Sequence, residues 1–246
     1  MSDYTLHLGD CIAGMAGLGD RSVDHVIADP PYSEHVHKNA RSNANGPHAH
    51  AVNLGFTYLR PQDRAELARQ YARIAKRWVI LFCEAEGMGD WKRDLEAAGL
   101  EWIRAGFWVR PDSMPQVSSD RPAAGAEVIV IAHAIGTRKR WNAGGKRGVW
   151  VENLARIDRV HPTQKPLPLM RALVSDFTDP GELVLDSHMG SGTTGLACLE
   201  LGRRFLGYEE SSKHFGTAEE RMRNAQKQES LFRTAPTEQL KLTGAA

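Results

Sequence analysis

Short apolar runs alternate along this chain with amphipathic segments, which is the pattern of strands followed by helices. Tyr4–Leu8 alternates as a strand, whereas Val23–Ala28 and Trp78–Cys83 are continuous apolar runs typical of buried strands. Further strands are predicted at 102–109, 127–132, 182–185 and 204–208, and helices at 12–18, 61–76, 88–98, 167–177, 193–201 and 211–226. This order predicts an α/β fold with a doubly wound, mostly parallel sheet and an antiparallel hairpin strand.

Composition is that of one globular domain, predicted over residues 1–226 and followed by a polar tail at 227–246. The three cysteines, Cys11, Cys83 and Cys198, form no metal-binding or redox spacing and are expected to be buried reduced thiols. The chain shows no signal-peptide pattern, and no apolar run reaches the roughly 18 residues that span a membrane. We therefore expect a cytoplasmic location without membrane contact.

The tetrapeptide Asp29-Pro30-Pro31-Tyr32 follows a predicted buried strand, at the edge where open α/β sheets bind ligands. Two prolines stiffen the backbone and leave carbonyls without an internal donor. A carboxylate, a free carbonyl and a flat ring suit a planar group that carries an NH2. Taken alone, the tetrapeptide is equally compatible with an ordinary strand-ending turn.

A second stretch, at residues 190–195, reads Gly-x-Gly-x-x-Gly and predicts a tight turn from strand to helix. A phosphate-binding P-loop is excluded because no Gly-Lys-Ser/Thr follows. Asp186, just before the turn, would repel a pyrophosphate but attract an amino group, and Glu209 can accept hydrogen bonds from ribose hydroxyls. An amino group, a ribose and no phosphate describe S-adenosylmethionine.

Residues 134–160 contain seven basic and two acidic residues, although the net charge of the whole chain is only +1. Trp141 and Trp150 are interleaved with the basic residues, a pattern that fits contact with phosphates and bases. The predicted DNA contacts are Arg138, Lys139, Arg140, Trp141, Lys146 and Arg147. The alternative is a solvated basic loop.

Residues 33–57 have no hydrophobic periodicity and are rich in Asn, His and small residues. Their histidines (His35, His37, His48 and His50) fit no metal-binding spacing, so no metal site is predicted. We expect a mobile polar loop, since a loop of this length commonly serves as a lid or a binding loop.

Together, Asp-Pro-Pro-Tyr (29–32), Asp-x-x-x-Gly-x-Gly-Thr-Thr (186–194) and His-Pro-Thr-Gln-Lys-Pro (161–166) resemble the S-adenosylmethionine-dependent amino-methyltransferases of DNA. The order of catalytic motif, recognition stretch and cofactor motif is that of the β class, found in many bacterial and prophage restriction–modification systems. The resemblance spans about residues 4 to 222. It implies methyl transfer to the exocyclic amino group of a flipped base. Asp at the first motif position favours adenine N6, with cytosine N4 as the alternative.

The resemblance also implies the roles of individual residues. The catalytic residues would be Asp29, Pro30, Pro31 and Tyr32. The cofactor would be bound by Asp10, Cys11, Asp29, Thr163, Lys165, Asp186, Ser187, His188, Gly190, Gly192, Thr193, Thr194 and Glu209. Ser187-His188 departs from the family's Pro-Phe, so altered cofactor affinity is expected.

Double-stranded DNA is the predicted partner, and β-class relatives suggest a homodimer. The segment Gln228–Phe232 faintly resembles a sliding-clamp-binding peptide, although a disordered tail is the simpler interpretation. Two other functions stay open at this stage. One is a degenerate protein that holds DNA or cofactor without turnover. The other is methylation of RNA or of a protein glutamine amide.

Overall fold

A computed structural model describes residues 3–33, 58–113, 115, 120, 122–154 and 164–234, with side chains as far as Lys227. The strands are β1 (Tyr4–Leu8), β2 (His25–Ala28), β3 (Trp78–Cys83), β4 (Leu100–Val109), β5 (Ala126–Ala134), β6 (Val149–Val151), β7 (Leu183–Asp186) and β8 (Arg204–Glu209). The helices are α1 (Cys11–Ala16), α2 (Pro61–Ile74), α3 (Met88–Ala97), α4 (Leu167–Phe177), α5 (Thr193–Glu200) and α6 (Ser212–Thr234).

These strands form one sheet in the order β1-β8-β7-β2-β3-β5-β4-β6. Within the described residues only β5 runs antiparallel to its neighbours, β3 and β4. The predicted doubly wound, mostly parallel sheet with an antiparallel hairpin strand is therefore confirmed. Because β5 is reversed, its first residues lie at the same edge as the last residues of the parallel strands.

Each face of the sheet is covered by helices, which explains why all six residues of β3 are buried. On one face, Met15 of α1, Leu67 and Tyr71 of α2 and Leu95 of α3 form a core with the sheet. On the other face the core is built from α4, α5 and α6, where the packed side chains include Leu173, Cys198 and Met222. Burial of apolar area on both faces fixes the strand ends relative to one another.

Local structure differs from the prediction at β6 and at the end of α6, and some predicted segments lie outside the described residues. β6 was not predicted, because three residues inside a basic stretch carry too little periodicity to indicate a strand. Helix α6 continues to Thr234, so the tail predicted from residue 227 begins inside a helix. The predicted loop at 33–57, apart from Ser33, lies outside the described residues, and so does the segment 155–163.

In the described part of the chain, every helix is too short or too polar to cross a membrane.

Candidate active site

Four acidic residues lie in a row at the carboxyl edge of the sheet. Asp10 follows β1, Glu209 ends β8, Asp186 ends β7 and Asp29 follows β2. These strands are parallel neighbours in the order β1-β8-β7-β2, so their carboxyl ends meet at one edge. The structure thus brings together the acids that were predicted to serve the cofactor and the target base.

The two oxygens of the Asp29 carboxylate have different surroundings. Oδ2 lies 2.7 Å from Nζ of Lys165. Oδ1 is buried and has no hydrogen-bond partner among the described residues. Burial raises the pKa of Asp29, Lys165 opposes this effect, Glu127 adds to it, and the net pKa is raised. One oxygen of Asp29 is therefore occupied and the other is available to a donor.

The rest of the tetrapeptide is held in place by neighbouring strands. Pro30 is buried at the end of β2. The hydroxyl of Tyr32 donates to Oε2 of Glu127 at 2.7 Å, and the backbone N–H of Ser33 donates to Glu84 at 3.0 Å. The carbonyl of Tyr32 accepts from the N–H of Leu59 at 3.1 Å. These contacts fix the ring of Tyr32 beside Asp29.

Lys165 lies beside the catalytic tetrapeptide. The resemblance counts it among the cofactor-binding residues, which stays a prediction, and in the structure its Nζ lies between Asp29 and Glu127, 3.1 Å from Oε2 of Glu127. Its ammonium also lies 4.8 Å from the ring centre of Phe82 and 5.8 Å from that of Trp108. Burial lowers the pKa of Lys165, but the two carboxylates outweigh burial and raise it. Thr163, predicted beside it, lies outside the described residues.

Glu127 and Arg110 were missed by sequence reasoning. Glu127 is the second residue of β5, and Arg110 follows β4, so both lie at the carboxyl edge. Arg110 Nη1 is 3.0 Å from Oε1 of Glu127. Burial raises the pKa of Glu127, but Lys165, Tyr32 and Arg110 together hold it below its ordinary value. The available signal was an acid at the start of an otherwise apolar strand in a hairpin.

The glycine turn places a second carboxylate beside the first. Gly190 and Gly192 have φ values of 53° and 79°, in the left-handed region that favours glycine, and Gly192 is the N-cap of α5. Asp186 accepts hydrogen bonds from the N–H of His188 at 3.0 Å and from Oγ1 of Thr194 at 2.5 Å. Burial raises the pKa of Asp186 to about 7, although both hydrogen bonds oppose the shift.

Glu209 and Asp10 are fixed by backbone donors. Glu209 accepts from the N–H of Gly190 at 3.0 Å and from that of Ser211 at 2.8 Å. Asp10 caps α1 by accepting from the N–H groups of Ile12 and Ala13. Both oxygens of Glu209 and of Asp186, and Oδ2 of Asp10, have a further lone pair, so this edge can accept hydrogen bonds from an amino group and from hydroxyls. The residues present therefore fit S-adenosylmethionine, whose amino group and ribose are donors.

Ser187 and His188, which depart from the family pattern, are tied into a buried chain of polar contacts. Oγ of Ser187 lies 2.6 Å from the hydroxyl of Tyr71 and 2.8 Å from Nδ1 of His188. Nε2 of His188 lies 3.6 Å from Sγ of Cys11. Burial lowers the pKa of His188 to about 4 and raises that of Cys11 to about 12, so both are neutral near pH 7. The imidazole is thus held as an uncharged flat group beside Asp186.

Thr193 lies in the first turn of α5, and its Oγ1 is 3.4 Å from Nη1 of Arg221. The same guanidinium donates to the carbonyl of Ser191 at 2.6 Å. Thr193 and Thr194 are therefore both buried supports of the turn. Their contacts hold the shape of the predicted cofactor cradle.

The predicted DNA contacts at 138–140 lie at the edge of the sheet opposite Asp29. They follow the end of β5, and since β5 is reversed, they lie beside the start of β3, where Thr137 Oγ1 donates to the carbonyl of Lys76. Lys139 pairs with Glu101 at 2.7 Å and Arg140 with Asp179 at 3.0 Å, while Arg138 is exposed. The structure does not bring Arg138, Lys139 or Arg140 to Asp29.

The tryptophans of the basic stretch belong to the core. Trp141 packs edge-on against Phe177 with ring centres 4.9 Å apart, and Trp150 is 3% exposed. Asp176 in α4 accepts hydrogen bonds from Nζ of Lys146 at 2.5 Å and from Nε1 of Trp150 at 2.8 Å. Trp141, Trp150 and Lys146 therefore anchor this stretch to α4, while Arg147 is exposed at its surface.

Comparison with known proteins finds a matching family and two similar proteins. The DNA methylase family matches residues 23–220. Type II methyltransferase M.HinfI of Haemophilus influenzae is 26% identical over 261 residues, covering 89% of this chain and 68% of that protein. Type II methyltransferase M2.DpnII of Streptococcus pneumoniae is 25% identical over 240 residues, covering 87% of each chain.

Solved structures give the same result for the fold. The M1.HpyAVI complex with S-adenosylmethionine has a TM-score of 0.71 and 26% identity, covering 89% of this chain and 98% of that one. The PvuII DNA methyltransferase, which is cytosine-N4-specific, has a TM-score of 0.70 with 14% identity and 93% coverage of both chains, so it supports the fold alone. From the family match and the acidic edge together, the chain belongs to the DNA methylase family, the restriction–modification amino-methyltransferases that use S-adenosylmethionine.

Proposed function

We propose that this protein transfers a methyl group from S-adenosylmethionine to adenine N6 of a base flipped out of double-stranded DNA. The observation that carries the proposal is Oδ1 of Asp29, a buried acceptor without a partner among the described residues, at the same edge as Asp186 and Glu209. A buried acceptor without a donor is costly, by about 1–3 kcal/mol. An amino hydrogen of the target base would supply that donor.

In this mechanism Asp186 would bind the amino group of the cofactor and Glu209 its ribose hydroxyls. The cofactor would supply an electrophilic methyl group, with S-adenosylhomocysteine as the leaving group. Asp29 and the Pro30 carbonyl accept hydrogen bonds from the two amino hydrogens of the base, which fixes the orientation of its nitrogen, and Asp29 accepts the proton that this nitrogen loses on methylation. Tyr32, whose hydroxyl is fixed by Glu127, presents its ring to the base for stacking. Positioning and preorganised charge then provide the rate enhancement.

A base inside a duplex cannot reach Asp29, so extrusion is part of the proposal. Residues 110–113 continue the chain from β4, and residues 152–154 continue it from β6. β6 runs parallel to β4, and the N–H of Leu154 donates to Asp112, so the chain leaves β6 at the carboxyl edge. Segment 155–163 contains Arg156 and Arg159 and lies outside the described residues. We assign DNA contact to this segment instead of Arg138–Arg140.

The preference for adenine derives from Asp at the first position of the catalytic tetrapeptide. The fold does not discriminate between the two amino groups, since a cytosine-N4-specific enzyme shares it. Cytosine N4 is therefore the alternative product. Both bases offer an exocyclic NH2 to the same carboxylate and carbonyl.

Product analysis tests the proposal directly. Unmethylated duplex DNA is incubated with the protein and methyl-labelled S-adenosylmethionine, then digested to nucleosides and separated. We expect the label in N6-methyldeoxyadenosine, and none with the Asp29→Ala variant, whose folding is checked by circular dichroism. Label in N4-methyldeoxycytidine would overturn the adenine assignment. Label in RNA or protein alone would overturn DNA as the substrate.

A protein that binds DNA and cofactor without turnover is the other outcome. The departure at Ser187-His188 motivated that alternative, yet both side chains are accommodated by Tyr71 and Cys11. Cofactor binding by calorimetry, with no labelled product on DNA of mixed sequence, would establish the binding role.

A further inference from the structure

Glu127 is the central residue of the charged group beside Asp29, and the resemblance assigned it no role. We propose that Glu127 is a positioning residue, which holds Lys165 on one oxygen of Asp29 so that the other oxygen is free for the target amino group. It also orients Tyr32. This inference rests on the proposed function and adds a residue to it.

The contacts of Glu127 are directed at the catalytic group, not at a ligand. Its Oε2 accepts from the hydroxyl of Tyr32 at 2.7 Å and lies 3.1 Å from Nζ of Lys165. Its Oε1 is paired with Arg110 at 3.0 Å, and the side chain is 15% exposed. With both oxygens already bound, Glu127 acts through Lys165 and Tyr32.

Charge alternates along this group, in the order Arg110, Glu127, Lys165, Asp29. Lys165 is thus shared by two carboxylates, and its position is a balance between them. The ammonium, held 3.1 Å from Glu127, contacts only Oδ2 of Asp29, at 2.7 Å, and Oδ1 is left without a partner among the described residues. Without Glu127, the ammonium can bridge both oxygens of Asp29 and compete with the amino group of the base.

The second action of Glu127 is on Tyr32. A hydrogen bond to the hydroxyl fixes the plane of the ring against which the base would stack. The two actions can be separated, because the amide oxygen of a glutamine still accepts from Tyr32 but carries no charge toward Lys165. Tyr32→Phe removes this hydrogen bond, together with the 3.4 Å contact between the hydroxyl and Nζ of Lys165, and leaves the charges of Glu127 and Asp29 unchanged.

Titration of Asp29 reports the charge of Glu127. The titratable and charged groups that face Asp29 are Glu127 on β5, Asp186 on β7, Cys83 on β3, Lys165 and Tyr32. Of these, Glu127 raises the pKa of Asp29 by repulsion, and Lys165 lowers it by attraction. Loss of the Glu127 charge therefore lowers the pKa of Asp29, and the acid limb of kcat moves to lower pH.

The experiment compares wild type, Glu127→Gln, Glu127→Ala and Tyr32→Phe, with Glu101→Gln as the matched control. Glu101 is also paired with a lysine, Lys139, but at the opposite edge of the sheet. We expect Glu127→Gln to lower kcat by about 10- to 100-fold with KM for S-adenosylmethionine within about twofold. Glu127→Ala should be slower than Glu127→Gln, and Glu101→Gln should match wild type.

Two readouts separate positioning from a merely structural role. One is the pH profile of kcat, in which the acid limb shifts to lower pH in Glu127→Gln and stays in place in Tyr32→Phe. The other, independent of turnover, is the titration of the Asp29 carboxyl carbon by NMR in wild type and in Glu127→Gln. The inference would be overturned if Glu127→Gln lowered kcat but left both the acid limb of the pH profile and the NMR titration of Asp29 unchanged. A wild-type kcat in Glu127→Gln would also overturn it.

Failure of the proposed function gives a different pattern. If the wild-type protein transfers no methyl group to DNA, the proposed function falls. The NMR titration then still decides whether the Glu127 charge acts on Asp29. An Asp29 pKa that falls in Glu127→Gln supports the charge arrangement, and an unchanged pKa overturns it.

Discussion

Nζ of Lys165 lies 2.7 Å from Oδ2 of Asp29, which joins the segment before α4 to the end of β2. This ion pair makes Lys165 the counter-ion of the proposed catalytic carboxylate. It also opposes the effect of burial, which alone would favour the protonated acid. An ionised Asp29 can accept a hydrogen bond from the amino group of the base. A protonated Asp29 would itself be a donor on one oxygen and would oppose that hydrogen bond.

Replacing Asp29 by asparagine should separate chemistry from cofactor binding. The amide keeps the shape of the side chain but loses the charge, so we expect kcat to fall at least about 100-fold. The Kd for S-adenosylmethionine, measured by calorimetry, should stay within about threefold because Asp186 and Glu209 remain. Glu219→Gln, on the exposed surface of α6, is the control. Full activity of Asp29→Asn would remove Asp29 from the mechanism.

Cofactor affinity should depend on pH through Asp186. Its pKa is about 7 in the folded protein, and its ionised form attracts the amino group of the cofactor. We expect the Kd to be about tenfold larger at pH 6 than at pH 8, because Asp186 is protonated in most molecules at the lower pH. Asp186→Asn should bind weakly with a much flatter pH dependence. A Kd that is flat in wild type between pH 6 and 8 would contradict the assignment.

The raised pKa of Asp186 also determines how the free energy of unfolding of the cofactor-free protein changes with pH. The unfolded chain releases this proton near pH 3.8 and the folded chain near pH 7. In between, the folded state holds more protons, so the contribution of Asp186 to the free energy of unfolding falls as pH rises. Denaturant unfolding of wild type and Asp186→Asn at pH 5 and pH 7.5 measures the difference. An advantage of wild type that grows toward pH 7.5 would show the opposite sign.

His188→Phe should keep most of the cofactor affinity. The imidazole is buried and neutral, so a phenyl ring can replace its flat surface, and Ser187 retains its contact with Tyr71. We expect the Kd to change by less than about threefold. His188→Ala loses the packing and should weaken binding roughly tenfold, which corresponds to about 1.4 kcal/mol. Equal affinities for the two variants would show that the ring does not contact the cofactor region.

Neutralising the basic residues at 138–140 should leave DNA methylation intact. Arg138, Lys139 and Arg140 lie at the amino edge of the parallel strands, away from Asp29. We expect kcat/KM for DNA of the triple alanine variant within about twofold of wild type. Arg156→Ala and Arg159→Ala should each weaken DNA binding and reduce its salt slope by about one. A large loss in the triple variant alone would restore the basic stretch as the DNA contact.

Gly195→Ala should destabilise the fold by overpacking. A Cβ there would lie 2.8 Å from Met222 Sδ and 2.8 Å from Phe205 Cδ1. We expect the free energy of unfolding to fall by about 1–3 kcal/mol in chemical denaturation. Gly89→Ala is the matched control, because Gly89 lies in α3 with open space around its Cβ position. That variant should gain about 0.4–1 kcal/mol. Equal stability of both variants would contradict the packing argument.

The acids of the site could be predicted because each follows its own strand in sequence. Asp29, Asp186 and Glu209 are local features of a strand end, and parallel strands carry local features to a common edge. Glu127 was missed because it begins its strand instead of ending it. Only the reversed direction of β5, which the predicted hairpin indicated, brings the first residues of a strand to the carboxyl edge.

Pairing and burial within the basic stretch could not be predicted for a related reason. Charge and aromatic content do not reveal which side chains are neutralised or buried after folding. Trp141 and Trp150 have the composition of a stacking surface, but Trp150 is buried with its Nε1 on Asp176, and Trp141 packs, half-buried, against Phe177. Arg140 is similarly paired with Asp179, a residue distant in sequence. Such long-range pairings are set by tertiary packing, which local patterns do not encode.

The row formed by Asp10, Glu209, Asp186 and Asp29 also limits how a duplex can approach. Phosphodiester groups and these carboxylates repel each other, so the DNA backbone is kept at a distance from this edge of the sheet. A nucleobase is uncharged and is not subject to that repulsion. In the proposed function, the acidic edge would therefore admit the uncharged base and repel the phosphodiester strand to which the base is attached.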